Sequence, residues 1–511
     1  MRREHREFVW GWPAIAGLLR RAALAVIGLG GAAVLVASTP AEAVPSFARQ
    51  TGFACEACHT VFPELTPFGR RFKINGYTLT TTPDGVSDIN QAKQRVLALA
   101  PFPPLSFLFQ ASYDRWNRAP LDTNQAGASY PISGQNDTAQ FPDALTIMYG
   151  GRVTDHIGAW VQLTYTQNSG TLGIDTTEVR YSDHNSDNSV VWGILANNAI
   201  GMQDVWNTGF WSLPAFSMES LYTESPNGIG GLTGPIIGSF NGNVAGVGAY
   251  VFFEDSFYLE GSVYRSACPG TGITTQDSSN LGACGGVIQG AAPYWRAAYE
   301  HDWGKNSISV GTTGMYVNYI PCVGYGSYGS GASSFTGCSV DGTNPESVSN
   351  GPGNRYLDVG GDWQYQYIGD NNIFTLAGHY MHENNNINPA FVTYGLNTNT
   401  TDTLDEFVMT ASYYYQRRFG GYVSFVSHTG TNDPNQYCGL SSLGGSAAGC
   451  TGSPNNQYEV FEFDYMPWLN TKFILQYDLY NRVASNQNPF YGYAPKASDN
   501  NTIVGGLWMA F

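Results

Sequence analysis

The chain has 511 residues, with 24 Lys and Arg against 40 Asp and Glu, a formal net charge of −16, and 14% aromatic but only 13% charged side chains. That acidic balance argues against a nucleic-acid partner, which requires a basic footprint. Glycine is abundant at 61 residues, about 12% against roughly 7% in average proteins, and past residue 43 no run of 18 apolar residues occurs, which excludes a helical membrane span.

The N-terminus reads as an export signal. Residues 1–21 carry five arginines, residues 22–36 are small or apolar throughout, and "ASTPAEA" ends in Ala41-x-Ala43. A basic n-region, an apolar h-region of about 15 residues and a small-residue cleavage site form a secretory signal peptide. The apolar run is shorter than the roughly 20 residues a bilayer span needs. Cleavage after Ala43 removes five basic and three acidic residues, leaving 19 and 37 and a net charge of −18.

Residues 44–104 form a short second segment, whose signal lies in "FACEACHTVFPELTPFGRRFKINGY" (53–77). It contains one C-x-x-C-H: Cys55 and Cys58 supply two thiols that add to haem vinyl groups, and His59 is placed to bind the iron. With eight Cys and eight His in the chain, chance gives about 0.002 such matches. A redox C-x-x-C would need a thioredoxin-like βαβ context, and a zinc site two more ligands; neither is nearby. The segment holds no Met and no second His, so the usual sixth ligand is missing. At about 60 residues it is also too small to bury a haem alone. We therefore expect it to sit as a plug in a larger body that completes the haem pocket.

That body is residues 105–511. Short segments there alternate strictly between apolar and polar, as in Phe257, Leu259, Gly261 and Val263 against Tyr258, Glu260, Ser262 and Tyr264. A period of two places one set on each face of a sheet. Sixteen segments are expected, near 105–116, 141–153, 158–168, 175–183, 188–196, 242–253, 256–265, 292–302, 307–318, 356–368, 372–382, 405–416, 420–429, 457–466, 471–482 and 501–511. Residues 197–241 read as one long loop; two hidden strands there would make eighteen. Tight turns such as "TDHIG" (154–158) and "DWGKN" (302–306) take turns with loops of about 17 to 45 residues. This asymmetry is a property of transmembrane barrels, with short periplasmic turns and long extracellular loops. The chain also ends on an apolar-faced strand closed by Phe511. A soluble sandwich with one wet face is the rival. The expected fold is an all-β transmembrane antiparallel barrel of about 16 strands, closed because an open edge cannot stand in lipid.

Six cysteines fall in pairs within the expected extracellular loops: Cys268/Cys284, Cys322/Cys338 and Cys438/Cys450. Strands separate the three loops, so three local disulfides are expected in an oxidising compartment.

The stretch "PSFARQTGFACEACHTVFPELTPFGRRFKINGYTL" (45–79) resembles the N-terminal segment of the outer-membrane fused monohaem cytochrome c–porin family, which includes iron oxidases of iron-oxidising bacteria. The matching positions include Pro45, Phe47, Arg49, Gln50, Cys55, Cys58, His59, Phe68, Gly69, Arg70, Phe72, Gly76 and Tyr77. The resemblance implies one covalent haem c that takes electrons from extracellular Fe(II) and passes them to a periplasmic carrier, a c-type cytochrome or cupredoxin. It thus implies an iron(II):cytochrome c oxidoreductase-like electron transfer without a catalytic side chain. A conduit with another donor or the reverse direction, and a solute porin with a structural haem, are the alternatives. Arg49, Arg70 and Arg71 are expected either to pair with a haem propionate or to hold the plug on lumen acids. For the sixth ligand the order of expectation is Met202 and Met218 in the 197–241 loop, then His379, which shares lumen parity with Met381, then no protein ligand; Met409 and Met509 face lipid.

Overall fold

The computed structural model describes residues 46–62, 64–79, 105–117, 136–166, 170–200, 204–206, 234–240, 242, 244–267, 286–321, 327–328, 335–336, 353–393, 397–437, 452–468, 470–483 and 496–511. The expected signal peptide, the Pro-rich exit at 100–104 and all six loop cysteines lie outside them.

Three short helices come first: α1 (Ser46–Thr51), α2 (Cys55–Cys58) and α3 (Pro67–Ile74). Sixteen barrel strands follow. They are β1 (Leu105–Trp116), β2 (Asp137–Arg152), β3 (Ile157–Thr166), β4 (Thr171–His184), β5 (Val190–Asn197), β6 (Val244–Phe253), β7 (Phe257–Ser266) and β8 (Ala292–Trp303). The second half comprises β9 (Asn306–Pro321), β10 (Asn354–Ile368), β11 (Asn372–Asn386), β12 (Thr401–Tyr415), β13 (Phe419–Gly430), β14 (Asn456–Trp468), β15 (Thr471–Val483) and β16 (Thr502–Ala510). Each pairs antiparallel with its sequence neighbours, and β1 pairs with β16 as well as β2. The sheet is closed, so no edge is left to satisfy. A three-residue strand, Gly286–Ile288, continues the line of β8 along β9, and a two-residue pair at 327–328 and 335–336 stands outside the barrel.

The alternation in sequence becomes the two faces of the wall. In β7, Tyr258, Glu260, Ser262 and Tyr264 are buried inside, while Phe257, Leu259 and Val263 are exposed outside. Leu357, Val359, Val423, Phe461, Leu475 and Ile503 extend that apolar exterior around the barrel. Beside the tight turns the outer residues become aromatic: Phe257, Tyr299, Trp303, Tyr367, Tyr415, Phe419 and Trp468. An apolar band bordered by aromatics matches hydrocarbon and its interface, so the structure is that of a porin-like outer-membrane barrel.

Two connections on the long-loop side are shorter than expected, 167–170 and 387–400. The strands beside them run beyond the periodic apolar core, since polar residues such as Asn384–Asn386 still pair with Asp402 and Thr401. Among the described residues of 198–241 there is no barrel strand. Instead its described parts turn inward. Val205 and Trp206 pack with Ile74, Tyr250 and Tyr258, and a short 3-10 helix, Ile236–Phe240, packs against Tyr264, Tyr319 and Met315.

Candidate haem site at the tight-turn mouth

The plug helices lie inside the barrel, at the end where the tight turns are. Contacts from 46–79 reach strands around the whole circumference, from β1 to β16. Arg70 is the central anchor: its side chain is 1% exposed and ion-paired with Glu300 at 2.6 Å. It also donates to the Leu65 carbonyl, Gln366 and Ser307 at 2.8, 2.8 and 2.9 Å. Arg71, part exposed, pairs with Asp302 at 2.8 Å and with Asp255 of the β6–β7 turn at 3.4 Å. Tyr77 donates to Glu178 at 2.9 Å, and Tyr250 donates to the Ile74 carbonyl at 2.5 Å. Phe47 stacks on Trp160 and Tyr77. Where the plug's last turn meets β3, position 158 must be glycine, because a Cβ there would overlap the Gly76 carbonyl oxygen.

Of the two roles expected for the arginines, Arg70 and Arg71 take that of holding the plug on lumen acids. Arg70 has no exposed donor left for a propionate. Arg49 is exposed and donates to the Leu105 carbonyl.

The C-x-x-C-H motif forms one helical turn. Cys55–Cys58 is helical, His59 caps it, and the His59 N–H bonds the Cys55 carbonyl at 2.9 Å. The chain then doubles back, with His59 bridged to Leu65. Thr66 fixes the return: its N–H bonds the Cys58 carbonyl at 2.9 Å and its hydroxyl donates to the Ala57 carbonyl at 2.7 Å. The same hydroxyl accepts from the Gly69 N–H at 3.1 Å, capping α3. Pro67 opens that helix, where its missing N–H costs nothing. Gly69 is required because a Cβ would run into the Cys58 carbonyl oxygen, so α3 packs directly under the motif.

Both cysteines are half-buried and neither is in a disulfide. Around them Phe53, Phe62 and Phe68 are each 38% exposed. Phe53 meets Phe68 edge-on at 5.5 Å, and Phe62 lies 5.1 Å from the His59 ring and 4.8 Å from Trp508. Three part-exposed phenylalanines around two thiols and an imidazole fit a flat apolar macrocycle, which would cover them when tethered there. Glu56 on α2 faces Arg417 of the β12–β13 turn at 3.6 Å.

Glu64 is buried and accepts from Thr60, Thr375 and Ser412 at 2.8, 2.9 and 3.2 Å. Burial lifts its carboxyl above the ordinary range, while those hydrogen bonds and the Lys472 charge oppose the shift.

Of the expected sixth ligands, Met202 and Met218 lie outside the described residues. His379 and Met381 do face the lumen, 2% and 1% exposed, but His379 Nε2 contacts Glu406 at 2.7 Å. Thr375, four residues nearer the tight turn, and Ile373 beyond it are where β11 touches the plug. Met466 was missed. It is buried in one cluster with Val61, two residues beyond His59, and with Ile373 and Tyr414. Its inward parity on β14 was legible in the sequence, but its nearness to the motif depends on how the plug is seated.

No family model matches the sequence, and no curated protein matches it. Solved structures similar to the chain include a loop-L8 deletion mutant of OmpT, an outer membrane protein of Vibrio cholerae, at 8% identity over 80% of this chain and 98% of that one, with a TM-score of 0.41. The outer membrane channel DcaP of Acinetobacter baumannii is 11% identical over 80% and 96%, with a TM-score of 0.39. Salmonella typhi OmpF in complex with daunomycin is 12% identical over 80% and 97%, with a TM-score of 0.38. The barrel assignment itself rests on the strand pairing.

Proposed function

We propose that the chain is an outer-membrane cytochrome–porin fusion, carrying one haem c on Cys55 and Cys58 with His59 on the iron, that moves electrons from extracellular Fe(II) to a periplasmic carrier. The observation behind this reading is the C-x-x-C-H turn held in the tight-turn mouth of a closed barrel, with three part-exposed phenylalanines around it. The haem, when bound, supplies a one-electron redox centre whose potential follows its axial ligands, burial and nearby charge. The chain's residues do the rest. Arg70, Arg71 and Tyr77 fix the plug, Thr66 and Gly69 set the turn that bears the thiols and imidazole, and Phe53, Phe62 and Phe68 offer apolar faces on which the macrocycle would pack. No group transfer is involved. Oxidising iron at the cell surface leaves the poorly soluble ferric product outside, which gives a barrel-housed haem its purpose.

The test is to mix the purified, oxidised holoprotein with Fe(II) under anaerobic conditions and record the reduced-haem absorption bands. Their appearance, with a low-conductance barrel in planar bilayers, supports the reading. No reduction by Fe(II), with an open pore, overturns it in favour of a solute porin with a structural haem. Reduction by other donors but not by Fe(II) leaves the conduit with a different partner.

A further inference from the structure

Many buried lumen acids are matched to Arg or Lys: Glu178 to Arg180, Asp204 and Asp362 to Arg296, Glu300 to Arg70, and Glu462 and Asp464 to Lys472. Glu406 is matched differently. One carboxylate oxygen lies 2.7 Å from His379 Nε2 and the other 2.8 Å from His428 Nε2, and among the described residues its ion partners are these two imidazoles. The three side chains come from adjacent strands β11, β12 and β13. Glu406 and His428 are direct cross-strand partners, and His379 is diagonal to Glu406 because it pairs with Val408. All three are buried, at 2%, 8% and 4% exposure for His379, Glu406 and His428.

We propose that His379, Glu406 and His428 bind one borderline divalent first-row cation, of the class of Fe(II), Co(II) or Zn(II), in the barrel lumen. Two imidazoles and one carboxylate are a donor set that such ions take, with positions left open. Each ring nitrogen lies within 2.8 Å of its own oxygen of the one carboxylate, and donors about 2.1 Å from one tetrahedral ion stand ~3.4 Å apart, so the rings would draw back from the carboxylate to admit it. As they stand, no three His, Cys, Asp or Glu groups among the described residues are placed to hold a metal ion, and here each Nε2 is engaged with a carboxylate oxygen. Binding therefore exchanges those two contacts for metal bonds. Each ring gives the ion its Nε2 lone pair. A neutral ring moves its proton to Nδ1, and a charged ring releases one proton to water.

Two further carboxyls lie beside the site. Asp358 and Glu383 are direct cross-strand partners on β10 and β11, both buried, and lie within electrostatic reach of Glu406. They accept the Ile237 and Ile236 N–H groups at 2.9 and 2.5 Å, which seats the inward-turned 234–240 segment beside the site. Gly234 lies against Glu406, where a Cβ would come within 3.2 Å of Oε2. The site is separate from the haem motif. Ser412, which touches the plug through Glu64, is six residues from Glu406 along β12, or about 20 Å at the strand rise. The proposal therefore does not depend on the haem reading.

The test is an anaerobic Co(II) titration of the detergent-solubilised holoprotein, followed by visible ligand-field bands and calorimetry. The expected result is one saturable site, weakened at least tenfold in Glu406→Gln and in His379→Gln/His428→Gln, and unchanged in His382→Gln, which alters the more exposed His382–Asp405 pair. Heat-modifiable migration on gels checks that each variant is folded. Should the double variant not fold, His428→Gln alone keeps an amide donor for Glu406 while removing one ring ligand, and must show the same weakening. No saturable site in the wild type, or a site indifferent to His428→Gln, overturns the proposal.

Discussion

Replacing Arg70 by Met should release the plug from the barrel mouth. The guanidinium is buried, paired with Glu300 at 2.6 Å, and donates further bonds to Leu65, Gln366 and Ser307. Methionine fills much of the volume but leaves Glu300 with the Trp206 Nε1–H donor at 2.5 Å and no cationic partner. Removing one member of a buried pair costs about 3–5 kcal/mol, which is roughly two to three and a half decades in the ratio of docked to released plug. Trypsin cleavage within 46–79 tracks the released population when docking is fast compared with cleavage, so it should accelerate at least about 100-fold, with more frequent openings in single-channel recordings. Arg71→Gln is the internal comparison: its partners are part exposed, and its effect should stay within about 1 kcal/mol. Arg70→Met/Glu300→Met removes both charges and should recover most of the loss, because an apolar pair of similar volume leaves nothing unpaired. If Arg70→Met matches the wild type in cleavage rate and opening frequency, the ion pair does not hold the plug and the reasoning fails.

Glu64 gives the docking a pH dependence. Its folded-state carboxyl is raised by burial above the ordinary 4.5, so the docked plug holds that proton more tightly than the released one. Docking should be strongest below pH 4.5 and weaken as pH rises toward the raised value; Glu64→Gln should flatten a protease-resistance profile over that window. Gly69→Ala drives a methyl into the Cys58 carbonyl and should lower covalently bound haem per protein, read as Soret absorbance in denaturant, severalfold or more. Methionine ligation gives a near-infrared charge-transfer band in the oxidised protein: loss in Met466→Ala but not in Met202→Ala or Met218→Ala assigns Met466, and the converse assigns the loop. The bridges Cys268–Cys284, Cys322–Cys338 and Cys438–Cys450 should appear in non-reducing peptide maps, each contributing roughly 3 kcal/mol in the chain-entropy model; a bridge between different loops would reject the scheme.

The sequence by itself determined the wall. A strict period of two has only one outcome when one face meets lipid, so Leu259 and Phe461 point outward, and Glu260 and Glu462 inward, without reference to anything distant. The sixteen segments followed from that pattern and from turn chemistry. The C-x-x-C-H turn was equally legible, because Cys55, Cys58 and His59 are bound to one another by a single helical turn. Only the tertiary structure decided what meets across the lumen. Arg70 and Glu300 are 230 residues apart, Met466 reaches Val61 from the far end of the chain, and His379, Glu406 and His428 converge from three strands. Parity names the side of the wall a residue faces. It carries no information about height, register or which opposite residue shares that level, since those are fixed by closing the sheet and seating the plug within it.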